Sequence, residues 1–175
     1  MRDLCIVPAF DRPEFLWLCL EHIFACPEVA DIDVRVCLDR GHAYVSMADL
    51  VQSFPGPPEL VVRPHHDYHG NSYNILMAYK QAVEEGRKYT FLVEDDVLVR
   101  PSFFKWHRFS QYIAPGITIA SQQLNRTTYA SIGVCWEHSA LEAVIQHAVP
   151  AYFGNMVTYC ASHFPETVKD RKSVV

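Results

Sequence analysis

The stretch Tyr89-Thr90-Phe91-Leu92-Val93-Glu94-Asp95-Asp96 decides how this chain is read: a near-continuous apolar run ends in three carboxylates before Val97-Leu98-Val99 resumes. A strand covered on both faces has such a run, because neither side of it meets water. Three adjacent acids are costly, since like charges raise one another's pKa unless a cation or strong hydrogen-bond donors join them. Two readings follow. A divalent ion carrying phosphate would satisfy the acids, because hard oxygen ligands suit Mg²⁺ or Mn²⁺, held by one or two carboxylates plus substrate oxygens. A solvated acidic turn between two strands would also satisfy them.

Upstream, Leu4 to Ala9 is a short apolar run bounded by the turn-forming Asp11-Arg12-Pro13, which predicts a first buried strand. Pro13 suits the first turn of a helix. From Glu14 to Cys26 the residues Phe15, Leu16, Leu18, Cys19, His22, Ile23 and Ala25 share one helical stripe, which Pro27 ends. Val34 to Leu38 predicts a second strand, finishing in Asp39 and followed by the loop Arg40-Gly41-His42. A weak helix from Ser46 to Ser53 meets the breaker Phe54-Pro55-Gly56-Pro57-Pro58, and Leu60 to Arg63 predicts a third strand. The polar stretch from Pro64 to Asn71 reads as a loop. Ser72 is the expected N-cap of a helix running to Glu85, with Gly86 as its stop. Beyond the acids, Pro101-Ser102 opens an aromatic-rich helix from Phe103 to Tyr112. Ile117 to Ser121 and Ala130 to Cys135 look like strands, Ser139 to His147 and Asn155 to Ser162 like helices.

Strand alternating with helix through residue 113 predicts right-handed crossovers and an α/β fold, with a mostly parallel central sheet flanked by helices. Ligands of such sheets sit outside the carboxyl ends of the strands. Asp39 and Glu94-Asp95-Asp96 both fall at such ends, so acids distant in sequence are expected to converge on one crevice. The 175 residues suit a single compact domain, with residues 1–113 as the ligand-binding part and 114–175 as a reduced second part.

Half the residues are apolar and 13% are aromatic, which excludes a disordered chain. No apolar stretch approaches the roughly 20 residues that span a bilayer. The N-terminus lacks the charged head and long apolar middle of a secretory signal, so a cytoplasmic protein is expected. Cys5, Cys19, Cys26, Cys37, Cys135 and Cys160 are scattered, without the spacing of a zinc or redox motif, and read as small buried hydrophobes. His65, His66 and His69 lack a helical i, i+4 pair or a matching cysteine, which argues against a zinc site. With 15 basic against 20 acidic side chains the net charge is −5, which argues against a large basic nucleic-acid surface.

Together, Val7-Pro8-Ala9-Phe10-Asp11-Arg12-Pro13, the strand end Cys37-Leu38-Asp39 and Phe91-Leu92-Val93-Glu94-Asp95-Asp96 resemble the nucleotide-sugar-dependent glycosyltransferases of the GT-A (Rossmann-like) fold. The run from Val93 to Phe104 is similar to the N-acetylglucosaminyltransferase I-like enzymes, where an acidic triplet precedes a short strand, a proline and two phenylalanines; the family-two-like transferases come next. The resemblance covers about the first 110 residues. It implies roles for particular residues. The turn Pro8-Ala9-Phe10 would offer backbone groups to a uracil or similar base, Arg12 would close over that base or its phosphate, and Gly70 to Asn74 would pack beneath the nucleotide. Asp39 would accept a hydrogen bond from the base imide, and Asn74 would face the pyrophosphate or metal. Glu94 and Asp95 would hold ribose and donor sugar. In this DXD-like motif Asp96 would ligate the Mn²⁺ or Mg²⁺ that neutralises the departing diphosphate, and a late histidine, His163, would complete its shell.

An inverting transferase needs a base within reach of the acceptor hydroxyl. The resembled families place it in a late aspartate-rich motif, where this chain reads Ala151-Tyr152-Phe153-Gly154-Asn155-Met156. Glu137 is the remaining candidate, with Glu142 behind it; alternatively the enzyme retains configuration, or the chain is inactive. Trp136 and Tyr152 are candidates to flank an acceptor groove. The leading expectation is a metal-dependent transferase moving a sugar from a nucleotide diphosphate donor, uridine-linked by preference. Its hydroxyl acceptor could be a glycan, a protein, a small molecule or a hydroxylated base in DNA, the last disfavoured by the net acidity. A protein partner or a second copy would complement so short a chain. The competing expectations are a nucleotidylyltransferase and a non-catalytic nucleotide-sugar-binding module.

Overall fold

The computed structural model describes residues 2–39, 44–62, 70–123 and 129–147. Strand β1 (Asp3–Ala9) leads into helix α1 (Pro13–Phe24), a 3₁₀ turn (Pro27–Asp31) and strand β2 (Ile32–Leu38). Helix α2 (Tyr44–Ser53), strand β3 (Glu59–Val62), helix α3 (Asn71–Glu84) and strand β4 (Tyr89–Leu92) follow. Helix α4 (Phe103–Ile113) then precedes strands β5 (Ile117–Gln123) and β6 (Tyr129–Glu137), and a last described helix, α5, spans 138–147.

The strands form one six-stranded sheet in the order β3-β2-β1-β4-β6-β5. β1 pairs in parallel with β2 and β4, and β2 in parallel with β3. β6 runs antiparallel to both β4 and β5. This is the mostly parallel, helix-flanked α/β sheet that the sequence predicts. The segment after residue 113 is part of that sheet, because β6 lies between β4 and β5.

All seven residues of β1 are buried, and their alternation divides the core. Cys5, Val7 and Ala9 face α1, α2 and α4, against Leu16, Cys19, Met47, Val51 and Phe104. Leu4 and Ile6 face α3 and α5, against Ala78, Ala82, Leu141 and Ile145. A strand with neighbours on both edges and helices on both faces is apolar along most of its length, and the one charge in β1, Asp3 at its start, is paired with Arg108. The described cysteines at 5, 19, 26, 37 and 135 are buried free thiols, as expected.

Helix ends follow backbone chemistry. Pro13 occupies the first turn of α1, where its missing N–H costs nothing. At the end of α3, Gly86 takes φ +68°, and Gly86 N–H and Arg87 N–H donate to the carbonyls of Val83 and Ala82, a Schellman closure. The start of α3 differs from the expectation: Ser72 lies inside the helix, Gly70 is the boundary residue, and no side chain caps it.

Val97-Leu98-Val99 is likewise not a strand. Val97 N–H donates to Glu94 carbonyl at 3.0 Å and closes a turn, and the segment beyond it is held by α1. His22 Nδ1 lies 3.0 Å from the Val99 carbonyl, and Cys26 Sγ donates to that of Arg100 at 3.5 Å. No helix among the described residues is long and apolar enough to cross a membrane.

Candidate functional site

β1, β2 and β4 end on the same side of the sheet, and the chain leaving each of them frames a cleft of about 200 Å³. It is lined by Pro8, Ala9, Phe10, Asp11 and Arg12 after β1, Asp39 after β2, Asn71 and Asn74 on α3, and Glu94 after β4. Asp39 and Glu94, far apart in sequence, thus meet in one crevice, as the reading of strand ends anticipates.

The β4 end is shaped by hydrogen bonds. Val93 N–H donates to Ile6 carbonyl at 3.0 Å, extending the β1–β4 pairing by one residue. The Glu94–Val97 turn follows, with Asp95 and Asp96 at its two central positions, which aspartate tolerates well. The cation that joins these acids is Arg12. Its Nη1 donates to Asp96 Oδ2 at 2.8 Å and its Nη2 to Asp95 Oδ1. The same guanidinium lies 5.9 Å from the centre of the Phe15 ring.

The two aspartates differ in environment. Asp96 is 42% exposed at its side chain, whereas Asp95 is buried and its Oδ2 has no hydrogen-bond partner among the described residues. Burial pushes the Asp95 carboxyl up to about 6, although Arg12 pulls the other way. Behind them, Cys19 Sγ donates to the Glu94 carbonyl at 3.5 Å, and burial together with Asp95 and Asp96 pushes its thiol up to about 12. Cys19 is therefore a neutral packing group, not a nucleophile.

Asp39 is buried, and its Oδ2 accepts the Gly70 N–H at 3.0 Å. Gly70 has φ +88°, so a glycine is needed to bring that N–H to the carboxylate. Asn74 is buried as well, and its Nδ2 donates to the Cys37 carbonyl at 2.6 Å. These two bonds fix the first turn of α3 against the end of β2, which brings Asn71 to the cleft wall.

Other candidates fall elsewhere. Glu137 pairs with Tyr89, the first residue of β4, at the opposite end of the sheet from the acidic turn. From Tyr89 to Glu94 the chain advances roughly 15 Å, at about 3.3 Å per strand residue. Glu137 accepts hydrogen bonds from Ser139 N–H at 3.0 Å and from Ser139 Oγ–H, which hold its carboxyl below the usual range. It caps the start of α5, at the far end of the sheet from the cleft. The antiparallel direction of β6, invisible in its composition, is the reason. Trp136 lies at the same far end: its Nε1–H donates to the Tyr79 hydroxyl at 3.0 Å and its ring packs edge-on against Tyr79. His163, Tyr152, the histidines at 65, 66 and 69, and the helix expected from Asn155 to Ser162 lie outside the described residues.

Phe10, of the Pro8-Ala9-Phe10 turn, and Asn71, of the segment Gly70 to Asn74, line the cleft, and so does Asp11, for which no role was expected. Their signal was position, directly after the first strand and at the start of α3. Among the described residues no three His, Cys, Asp or Glu side chains converge to form a closed metal cage. The oxygens available nevertheless suit a hard divalent ion at an open site: Asp96 is accessible, Asp95 has a buried unsatisfied oxygen, and a guanidinium already stands in as the cation.

No protein-family model and no curated protein sequence matches this chain. Solved structures do. The mannosyltransferase PcManGT from Pyrobaculum calidifontis, in complex with GDP-Man and Mn²⁺, superposes with a TM-score of 0.61 at 12% identity, over 82% of this chain and 46% of that one. TarS residues 1–349 from S. aureus superposes with a TM-score of 0.62 at 14% identity, over 82% and 49%. The 4-diphosphocytidyl-2C-methyl-D-erythritol synthase from Anaerococcus prevotii gives 0.61 at 11%, over 85% and 75%. The chain spans about half the length of the first two. At these identities the superpositions show the architecture alone: this chain has the GT-A-like α/β fold that these transferases and the synthase share.

Proposed function

We propose that the protein is a glycosyltransferase that moves a sugar from a nucleotide diphosphate donor, uridine-linked by preference, to a hydroxyl acceptor, with a divalent cation at the acidic turn. The observation that carries this reading is the convergence of Pro8, Ala9, Arg12, Asp39, Asn74 and Glu94 on one cleft above the carboxyl ends of β1, β2 and β4. In this reading the loop Pro8 to Arg12 receives the base, Asp39 accepts its imide N–H, and Glu94 and Asp95 hold ribose and sugar hydroxyls. Asp96 holds Mn²⁺ or Mg²⁺, which would supply charge neutralisation of the leaving diphosphate. The lining carries three carboxylates, Asp11, Asp39 and Glu94, and one base, Arg12. A bare diphosphate is repelled by such a wall, which supports its entry together with a divalent cation.

A nucleotidylyltransferase is the second reading, supported by the synthase among the structures that share the fold. It has to hold a triphosphate. The loop after β1, Phe10-Asp11-Arg12-Pro13, contains no glycine, and its one base is engaged with Asp95 and Asp96. That favours sugar transfer.

Calorimetry with UDP and GDP, with and without Mn²⁺, tests the donor site, and turnover of labelled nucleotide sugars tests the reaction. Metal-dependent binding of a nucleoside diphosphate with release of the sugar is the expected result. Binding of a nucleoside triphosphate with release of pyrophosphate would replace this reading by the second one.

A further inference from the structure

We infer that Arg12 makes divalent-metal binding conditional on the nucleotide diphosphate: it is an internal cation that holds the acidic turn until a phosphate is there to receive it. This rests on the donor-site reading above and adds the order in which its parts assemble.

The geometry is specific. Arg12 Nη1 reaches Asp96 Oδ2 at 2.8 Å and Nη2 reaches Asp95 Oδ1, so one planar guanidinium spans both carboxylates. Such a two-armed match is a property of arginine and not of lysine. The side chain is 43% exposed and starts from the residue just before α1, on the wall of the cleft itself. It is therefore free on one side to move, while Asp95 is fixed by burial.

A divalent ion at Asp96 would bring a second cation against this guanidinium, and like charges at such a distance repel strongly. Metal alone must displace Arg12 from both Asp95 and Asp96. It gives up two charge-assisted hydrogen bonds to do so. A diphosphate changes the exchange, because its oxygens accept the guanidinium's donors while the metal takes the carboxylate. Metal and nucleotide then enter as a unit, and each strengthens the other by the same factor.

The test is Mn²⁺ binding followed by the electron paramagnetic resonance of the free ion, without nucleotide, for the wild type, Arg12→Gln and Arg12→Gln/Asp96→Asn. We expect Arg12→Gln to bind Mn²⁺ at least ten-fold more tightly than the wild type, with the gain lost in the double variant. Arg12→Lys, which keeps a charge but cannot span both carboxylates, should gain at least three-fold; it serves as the measure should Arg12→Gln not fold, as judged by circular dichroism. Equal Mn²⁺ affinity in wild type and variants overturns the inference. A parallel titration with UDP and GDP keeps the two ideas apart. Wild type that binds nucleotide with Mn²⁺ while the variants show no gain sinks the exchange and leaves the donor site standing. Wild type that binds no nucleotide diphosphate sinks the donor site, and the Mn²⁺ ratio still decides whether Arg12 bars the ion.

Discussion

Arg12 Nη1 donates to Asp96 Oδ2 at 2.8 Å, joining the loop after the first strand to the turn after the fourth. This bond ties the acidic turn to Arg12, which lines the cleft. Because Asp96 is 42% exposed, its pair with Arg12 is worth at most about 1 kcal/mol to folding. Asp96→Ala should therefore melt close to the wild type while losing the Mn²⁺-dependent part of nucleotide binding, as thermal-shift assays with UDP in the presence and absence of metal would show. Unchanged metal-dependent binding would take Asp96 out of the site.

Asp39 has two tasks that substitution can separate. Asp39→Ala strands the Gly70 N–H and should cost roughly 1–2 kcal/mol in urea unfolding. Asp39→Asn keeps an acceptor for that N–H and should restore most of the stability, but it removes the carboxylate offered to a base imide. Calorimetry should show at least ten-fold weaker nucleotide binding in both variants. Wild-type affinity in Asp39→Asn would refute the contact with the base.

Glu137→Ala should leave nucleotide binding and transfer unchanged, since Glu137 stands beside Tyr89 at the far end of the sheet. Its cost is that of a lost helix cap, about 1 kcal/mol, read from the urea midpoint. A large fall in turnover at unchanged stability would return it to the reaction.

His107 is fully buried, with Nδ1 2.6 Å from Thr118 Oγ1, and burial lowers its pKa to about 4 from 6.5. Between those values the unfolded chain binds a proton that the folded one does not. His107's contribution to stability is thus complete above about 6.5 and falls as the pH drops toward about 4. Asp95, raised from 3.8 to about 6, has the opposite sign: its contribution is complete below 3.8 and lost as the pH rises to about 6. Urea unfolding across this range should accordingly show a steeper acid-side loss in Asp95→Asn than in the wild type, and a shallower one in His107→Gln.

Gly133 in β6 passes so close to Phe103 that an added Cβ would lie 2.6 Å from the ring. Phe103 is itself wedged against Phe91, Phe104 and His107 and has little room to yield. Gly133→Ala should destabilise by about 1–3 kcal/mol through overpacking, measured by chemical denaturation. A neutral result would mean that the ring can shift.

Local chemistry made most of the binding half legible. β1 and β4 announced themselves as apolar runs because each is buried on both faces, and the second strand was legible from Val34 to Leu38 although it carries Arg35; Asp39 and Glu94 stood out as acids directly after such segments. Arg12 was visible as a site residue, but its partner was not: nothing in Asp11-Arg12-Pro13 says that the guanidinium crosses to Asp95 and Asp96. Val97 to Val99 has strand-forming composition and lacks a strand partner, so tertiary contacts with His22 and Cys26 decided its shape. Glu137 was misplaced for a reason no single strand carries. Its position depends on whether β6 runs with β4 or against it, which is a property of the assembled sheet.

The order β3-β2-β1-β4-β6-β5 also bears on how the molecule comes into being. β1 cannot complete its second edge until Thr90 arrives beside Leu4, and β4 in turn waits for β6. Pairings between such remote segments slow folding, placing chains of this kind toward the millisecond-to-second end of the scale. Until Thr90 is in place the first strand keeps a bare edge, which makes the incompletely folded chain a natural client for chaperones.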